Sequence, residues 1–244
     1  MEIRGITKFT LLDYPGKLAC IVFVGGCNFR CPYCHNPSLV FDPEAHPLLT
    51  EDEFLAFLES RRGKLEAVVV SGGEPTLCHD LKDFLAKVKA LGFAVKLDTN
   101  GSRPEVVAAL LTAKAIDFLA IDYKAPAARY PNVAGIDSPD VGAKVGESLR
   151  LGVEAGVTLE VRSTVHKALL GPDDLAAMRR ELDQLGVTDW VLQQFNPAEI
   201  IDDQLLTLPN YSDQELRTLA ASFHHTRVRG LKGNSLQASP PKGA

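Results

Sequence analysis

Short apolar runs alternate with helical patterns along most of the chain, and this alternation restricts the fold more than any other feature. The runs are 19–24, 65–71, 93–98, 118–122, 157–165 and 189–195. Some are nearly continuous hydrophobics, as in Ala67-Val68-Val69-Val70. Strands of that kind are buried on both faces, which implies a parallel sheet covered by helices. Between the runs lie helix candidates. Residues 50–61 open on the capping-box pattern Thr50-Glu51-Asp52-Glu53 and set Phe54, Leu55 and Leu58 on one face. Residues 79–91 repeat Leu81, Phe84, Leu85 and Val88 and stop at Gly92. Segments 103–113, 141–155 and 172–185 follow, with Pro104 and Pro172 in first turns and Gly156 and Gly186 as stops. A last helix is expected at 211–226, capped by Ser212 with Leu216 and Leu219 on one face. Strand–helix units of this number fall short of a full eight-unit barrel, and a flat doubly wound sheet gives the same alternation. The expected organisation is one domain over 1–230 and a flexible tail at 231–244, where Gly, Ser, Pro and Lys leave little to bury.

Directly after the first run comes Gly25-Gly26-Cys27-Asn28-Phe29-Arg30-Cys31-Pro32-Tyr33-Cys34-His35-Asn36. Thiolates are soft ligands that suit iron–sulfur clusters, zinc and copper(I). A disulfide plus a free thiol fits poorly with an odd cysteine count and no secretion signal. Zinc would need His35 as a fourth ligand, and adjacent residues rarely serve one tetrahedral ion. A four-iron cluster held by Cys27, Cys31 and Cys34 keeps one iron without a protein ligand, a place for chemistry. Cys20 reads as a small buried hydrophobe and Cys78 as the start of a helix. No further cysteine falls between Cys34 and Leu65, so a second cluster is not expected. His46, His166, His224 and His225 lie outside the motifs and are expected to be solvated.

Parallel α/β folds collect ligands where strands end and loops begin. The second run ends in Ser71-Gly72-Gly73-Glu74-Pro75, where glycines permit close backbone approach and a carboxylate can accept from an ammonium group. The third ends in Asp98-Thr99-Asn100-Gly101, which also suits a plain turn or cap. The fourth ends in Asp122-Tyr123-Lys124, whose two charges point to one side of an extended segment. The fifth carries Glu160, Arg162 and Thr164 on one face, and buried charges need partners. Gln193 and Asn196 close the sixth.

The cysteine string resembles the signature of the radical S-adenosylmethionine (SAM) enzymes, including the aromatic Tyr33 before the third cysteine. With Leu12-Asp13-Tyr14-Pro15-Gly16-Lys17 ahead and Cys34-His35-Asn36-Pro37 behind, the chain from about Ile6 to Pro197 is similar to the glycyl-radical-enzyme activases. These include the activases of anaerobic ribonucleotide reductase and of pyruvate formate-lyase. The resemblance implies a partial (β/α)6 barrel of the radical SAM type, with parallel strands and outer helices. It implies a 4Fe-4S cluster on Cys27, Cys31 and Cys34, with S-adenosyl-L-methionine chelating the open iron. Gly72, Gly73 and Glu74 match the motif that holds the cofactor's amino group, and Asp98 belongs to a loop that touches the cofactor. Lys124 is placed for its carboxylate, Asp122 for ribose or a cation, and Arg162 for the cofactor or an incoming peptide. Phe29 and Tyr33 would shield the cluster. Asn196 stands where one activase has histidine, so its partner, adenine or ribose, is carried over less directly. The implied partners are a glycyl radical enzyme as protein substrate and flavodoxin or ferredoxin as electron donor.

Two other readings remain at this level: a radical SAM enzyme acting on a small molecule, as in the 7-carboxy-7-deazaguanine synthases, and a zinc-binding module without catalysis. A net charge of -5 gives no support to nucleic-acid binding. No apolar run approaches the ~20 residues that span a bilayer, and residues 1–10 lack a signal-peptide core. A cytoplasmic, reducing location is expected.

Overall fold

The structure is a computed structural model and describes residues 1–197 and 199–231. The tail expected from 231 onward therefore lies, apart from Leu231, outside the described residues. All six strand-like runs form strands: β2 (Ala19–Val24), β3 (Ala67–Gly72), β4 (Ala94–Thr99), β5 (Phe118–Asp122), β6 (Thr158–Val165) and β7 (Trp190–Gln194). They pair in chain order, each parallel to the next. A doubly wound sheet reverses its strand order at a switch point. This sheet never reverses, so it winds one way, as a barrel does.

Two strands were not legible beforehand. β1 (Ile3–Thr10) adds antiparallel to β2, and β8 (Thr226–Arg229) adds parallel to β7. Both are edges, and edge strands carry charge that blunts further pairing. Arg4, Lys8, Arg227 and Arg229 hide the apolar alternation there. The helix expected at 211–226 is consequently shorter, Asp213–Ala221, with β8 taking its end. Ser212 caps it in a capping box with Glu215. Among the described residues β1 and β8 do not pair, so the arc stays open on one flank.

The helices are α1 (Pro37–Phe41), α2 (Glu51–Glu59), α3 (Leu81–Ala90), α4 (Pro104–Thr112), α5 (Tyr130–Ala134), α6 (Val141–Ala155), α7 (Pro172–Gln184) and α8 (Asp213–Ala221). The predicted capping box at Thr50 forms, with Glu53 as its reciprocal partner.

The period of two sorts each strand's side chains between two cores. One face sends Val22, Val68, Val70, Val95, Leu97, Leu119 and Ile121 into the main core with Phe54, Phe84 and Leu149 of the helices. Cys20 lies here, fully buried, and burial pushes its thiol up to about 12, so it behaves as a hydrophobe. The other face packs Ala19, Ile21, Ala67, Val69, Phe118 and Ala120 around Tyr14, whose ring meets Phe118 edge-on at 5.5 Å. From β4 to β8 this second face turns charged, through Lys96, Asp98, Asp122, Glu160, Arg162, Arg227 and Arg229. The site grows on that charged wall. Among the described residues no helix is long and apolar enough to cross a membrane.

Candidate active site

A cavity of about 620 Å³ opens at the carboxyl ends of the strands. That lies within the roughly 300–1,000 Å³ of small-molecule sites. Cys27, Cys31, Cys34 and Tyr33 enter it from the loop after β2, and Gly72 and Gly73 from the end of β3. Asp98, Asp122 and Lys124 reach it from β4 and β5, Arg162 from β6, and Asn196 from beyond β7. Of the residues assigned from the sequence to the cluster or the cofactor, Glu74 alone does not line it.

The cysteine loop is tied to its neighbours by main-chain bonds. Gly26 N–H donates to Leu39 O at 2.8 Å, and Gly26 O accepts from Glu74 N–H at 2.8 Å. Arg30 N–H donates to Ala134 O at 2.9 Å, and Pro32 O accepts from Asp202 N–H at 2.9 Å. Asn28 donates to Ser102 Oγ at 2.9 Å and accepts from Asn100 at the same distance. The two glycines after β3 serve this loop-on-loop approach. A Cβ at Gly73 would stand 1.9 Å from Gly26 O, and one at Gly72 2.4 Å from Val24 N. Gly72 also adopts φ 115°, where side chains are strained.

Burial raises the Cys27 thiol and pushes Cys31 up to about 11, while the Lys124 ammonium opposes both shifts. Phe29 N–H points at Cys27 Sγ at 3.4 Å, a bond that favours the thiolate. Among the described residues no three His, Cys, Asp or Glu side chains are arranged to hold a single metal ion. Three thiols lining one cavity are a donor set that fits a polynuclear cluster, in which each sulfur takes its own iron. Among the described residues the buried Tyr33 hydroxyl has no hydrogen-bond partner, and the Lys124 ammonium lies 5.9 Å from its ring centre.

An ion network forms the cavity floor. Arg162 Nε donates to Asp122 Oδ1 at 3.0 Å and its Nη1 to Asp98 Oδ2 at 3.0 Å. Lys96, 1% exposed, donates to Asp98 Oδ1 at 2.6 Å. Lys124 reaches Asp122 only at 3.4 Å and stays available to an anion in the cavity. Burial pushes Asp122 up, but Arg162 and then Lys124 outweigh it and leave the carboxyl at about 2. Asp98 is likewise held below the usual carboxylate range, burial being outweighed by Arg162 and Lys96. A carboxylate whose folded pKa is depressed stabilises the fold above its unfolded value of about 3.9 and loses that contribution as pH falls through the folded value. Urea midpoints are therefore expected to hold above about pH 4 and to drop as pH falls toward 2, with a flatter slope in Asp122→Asn. An equally steep slope in that variant would remove Asp122 from the account.

Glu74 differs most from its expected place. It is 1% exposed and spends both oxygens on the protein. Oε1 accepts from Thr76 N–H at 3.0 Å and from the Thr76 and Thr99 hydroxyls at 2.6 Å each; Oε2 accepts from Asn100 N–H at 2.7 Å. It thus braces the loop after β3 against the loop after β4. Glu74→Ala strands these buried donors and should cost about 2–4 kcal/mol in urea unfolding of the metal-free protein. An unchanged midpoint with weakened S-adenosylmethionine binding would restore the direct ligand role read from the sequence.

The solvated assignment of His166 is corrected: its ring is fully buried. Nδ1 accepts from Ala168 N–H at 3.1 Å, Nε2 faces Leu205 O at 3.1 Å, and the ring edge meets Phe195 at 5.0 Å. Burial holds this histidine low, so it stays neutral. Sequence reasoning also passed over Lys96 and Arg229. The signal for Lys96 was a lysine two residues before Asp98 in an otherwise apolar run. Leu12 and Asp13 line the cavity as well, from the loop between β1 and β2.

The sequence profile described as the Radical SAM superfamily matches residues 21–146. A protein of Methanocaldococcus jannaschii, provisionally named a glycyl-radical enzyme activating enzyme, is 33% identical over 220 residues, which is 89% of each chain. A 7-carboxy-7-deazaguanine synthase of Halobacterium salinarum is 34% identical over 98 residues, 38% of this chain and 37% of that one. Among solved structures, Streptococcus suis SuiB bound to its precursor peptide SuiA superposes with a TM-score of 0.66 at 14% identity. That match covers 86% of this chain and 48% of SuiB, so the chain spans about half the length of that enzyme and shares its fold. The one-way parallel sheet, the three thiols at its carboxyl end and the matched profile together make this chain a member of the radical SAM superfamily.

Proposed function

We propose that the protein is a glycyl-radical-enzyme activase working in the cytoplasm. Cys27, Cys31 and Cys34 would hold a 4Fe-4S cluster, and S-adenosyl-L-methionine would share the cavity. When bound, these groups would supply reductive cleavage of S-adenosylmethionine: one electron from flavodoxin or ferredoxin and one hydrogen atom from a partner's glycine α-carbon would balance methionine, 5′-deoxyadenosine and a glycyl radical. The chain's own part is binding, orientation and exclusion of water. Lys124, weakly engaged by Asp122, presents its ammonium to the cofactor's carboxylate. Asp122 serves the ribose, Asn196 the adenine or ribose, and Tyr33 walls the cluster. The backbone at Gly72 and Gly73 faces the amino group, with Glu74 holding that loop in place.

The observation that carries the reading is the shape of the cavity. The thiols enter it from the loop after β2, while Leu12, Asp13, Arg229 and Gly230 bring to it the two unpaired ends of the sheet. A glycine-bearing loop of an anaerobic ribonucleotide reductase or a pyruvate formate-lyase-like enzyme has a way in, and would itself close the site. The relative from M. jannaschii supports this choice. The relative from H. salinarum favours a second reading, a radical SAM enzyme acting on a small molecule. Anaerobic mixing of the reconstituted protein with each candidate partner, reductant and S-adenosylmethionine tests them. A doublet glycyl signal in electron paramagnetic resonance supports the activase, and its absence with turnover of a small heterocycle supports the second reading.

A further inference from the structure

We infer that Arg229 is a substrate-gripping residue, donating to main-chain carbonyls of the polypeptide loop that enters the open flank. This rests on the activase reading and deepens it. β8 carries two inward guanidiniums, Arg227 and Arg229, and both donate to the same oxygen of Glu160, which is 1% exposed. Their surroundings differ. Arg227 is also bound twice by Asp189, at 2.8 and 3.0 Å, and does not line the cavity. Arg229 lines the cavity, is 35% exposed at its side chain, and has Glu160 as its one side-chain partner among the described residues. A guanidinium carries five N–H donors, and the bond to Glu160 takes one. The side chain lines the cavity and is 35% exposed, so donors remain for a ligand there.

The chemistry of that ligand follows from the charge count. Arg227 and Arg229 stand against Glu160 and Asp189, two charges of each sign, so the wall does not call for an anionic substituent. It offers strong donors to neutral acceptors. A polypeptide entering a dry cavity brings one N–H and one C=O per residue, and each needs a partner. Gln193, paired in register with Arg229 across β7 and β8, lines the same cavity. Its side-chain amide makes no hydrogen bond among the described residues, so it supplies a further donor and an acceptor. A fork and an amide side by side suit a main chain. The ion pair to Glu160 pre-organises the fork, which limits the entropy lost on binding.

The alternative is that both arginines only register β8 on the sheet. Arg229→Lys separates the two cases, because lysine keeps the charge opposite Glu160 and loses the fork. Arg227→Gln is the control for a weakened triad. The assays use the reconstituted, SAM-loaded protein with an anaerobic ribonucleotide reductase, and fluorescence anisotropy with a labelled peptide spanning its radical glycine. The expected result is a KM for the partner and a Kd for the peptide about tenfold higher in Arg229→Lys, the loss of one charge-assisted bond. Arg227→Gln should lower the thermal midpoint and leave both constants within twofold. Unchanged constants in Arg229→Lys, or equal rises in Arg227→Gln, would overturn the assignment, as would peptide that fails to bind wild type. If wild type binds peptide through Arg229 yet makes no glycyl radical, the activase reading falls and the Arg229 assignment stands.

Discussion

Replacing Cys27, Cys31 or Cys34 with Ala is expected to abolish cluster binding and reduce cofactor cleavage to background, while Cys20→Ala and Cys78→Ala retain both. The three thiols share the cavity, and each is assigned one iron, so none is redundant. Cys20 lies under the helices on the opposite face of the sheet. Burial pushes the Cys78 thiol up to about 11, which keeps it protonated, and it does not line the cavity. Anaerobic reconstitution of wild type should give close to four irons and four sulfides per chain. Stoichiometric zinc, or iron lost in Cys78→Ala, would show that the ligand set is misassigned.

The second large effect is on Arg162. Its side chain, 15% exposed, holds Asp98 and Asp122 together, and each of those is otherwise left to a single lysine. Breaking the Arg162–Asp98 pair from one side costs about 3–5 kcal/mol, because Asp98, 12% exposed, stays desolvated, while Asp122, 39% exposed, is screened by solvent and adds little. Arg162→Met should lose stability of that order in urea at pH 7. It should also lose S-adenosylmethionine binding, since the cavity floor then carries uncompensated negative charge near Lys124. Arg162→Lys restores the charge and not the two-sided fork, so it should recover part of the stability and little of the binding. A stable Arg162→Met protein would mean that water enters the network and the floor is not dry.

Much of this arrangement could be read from the chain alone, for a physical reason. In a parallel sheet every carboxyl end points the same way, so motifs far apart in sequence meet if each follows a strand. That logic brings the cysteines, Gly72, Gly73, Asp98, Asp122, Lys124, Arg162 and Asn196 to one end of the sheet, and they line one cavity. What escaped it depends on partners that spacing does not reveal. Glu74 sits where a ligand carboxylate was expected, but Thr99 and Asn100, distant in sequence, consume its oxygens. His166 reads as a surface residue in the sequence, but Leu205 and Phe195, distant along the chain, meet its ring. β1 and β8 were hidden because edges are polar, and Arg229, with its place in the cavity, was hidden with β8.

The central claim is that hydrogen leaves a glycine of a partner protein, and an isotope tests it most directly. The partner is prepared with deuterium on its glycine α-carbons and mixed anaerobically with reconstituted protein, reductant and S-adenosylmethionine. The account predicts one deuterium in 5′-deoxyadenosine, appearing with the glycyl radical and only when the partner is present. Deuterium retained in the partner, with unlabelled 5′-deoxyadenosine formed at the expense of a small metabolite, would contradict it.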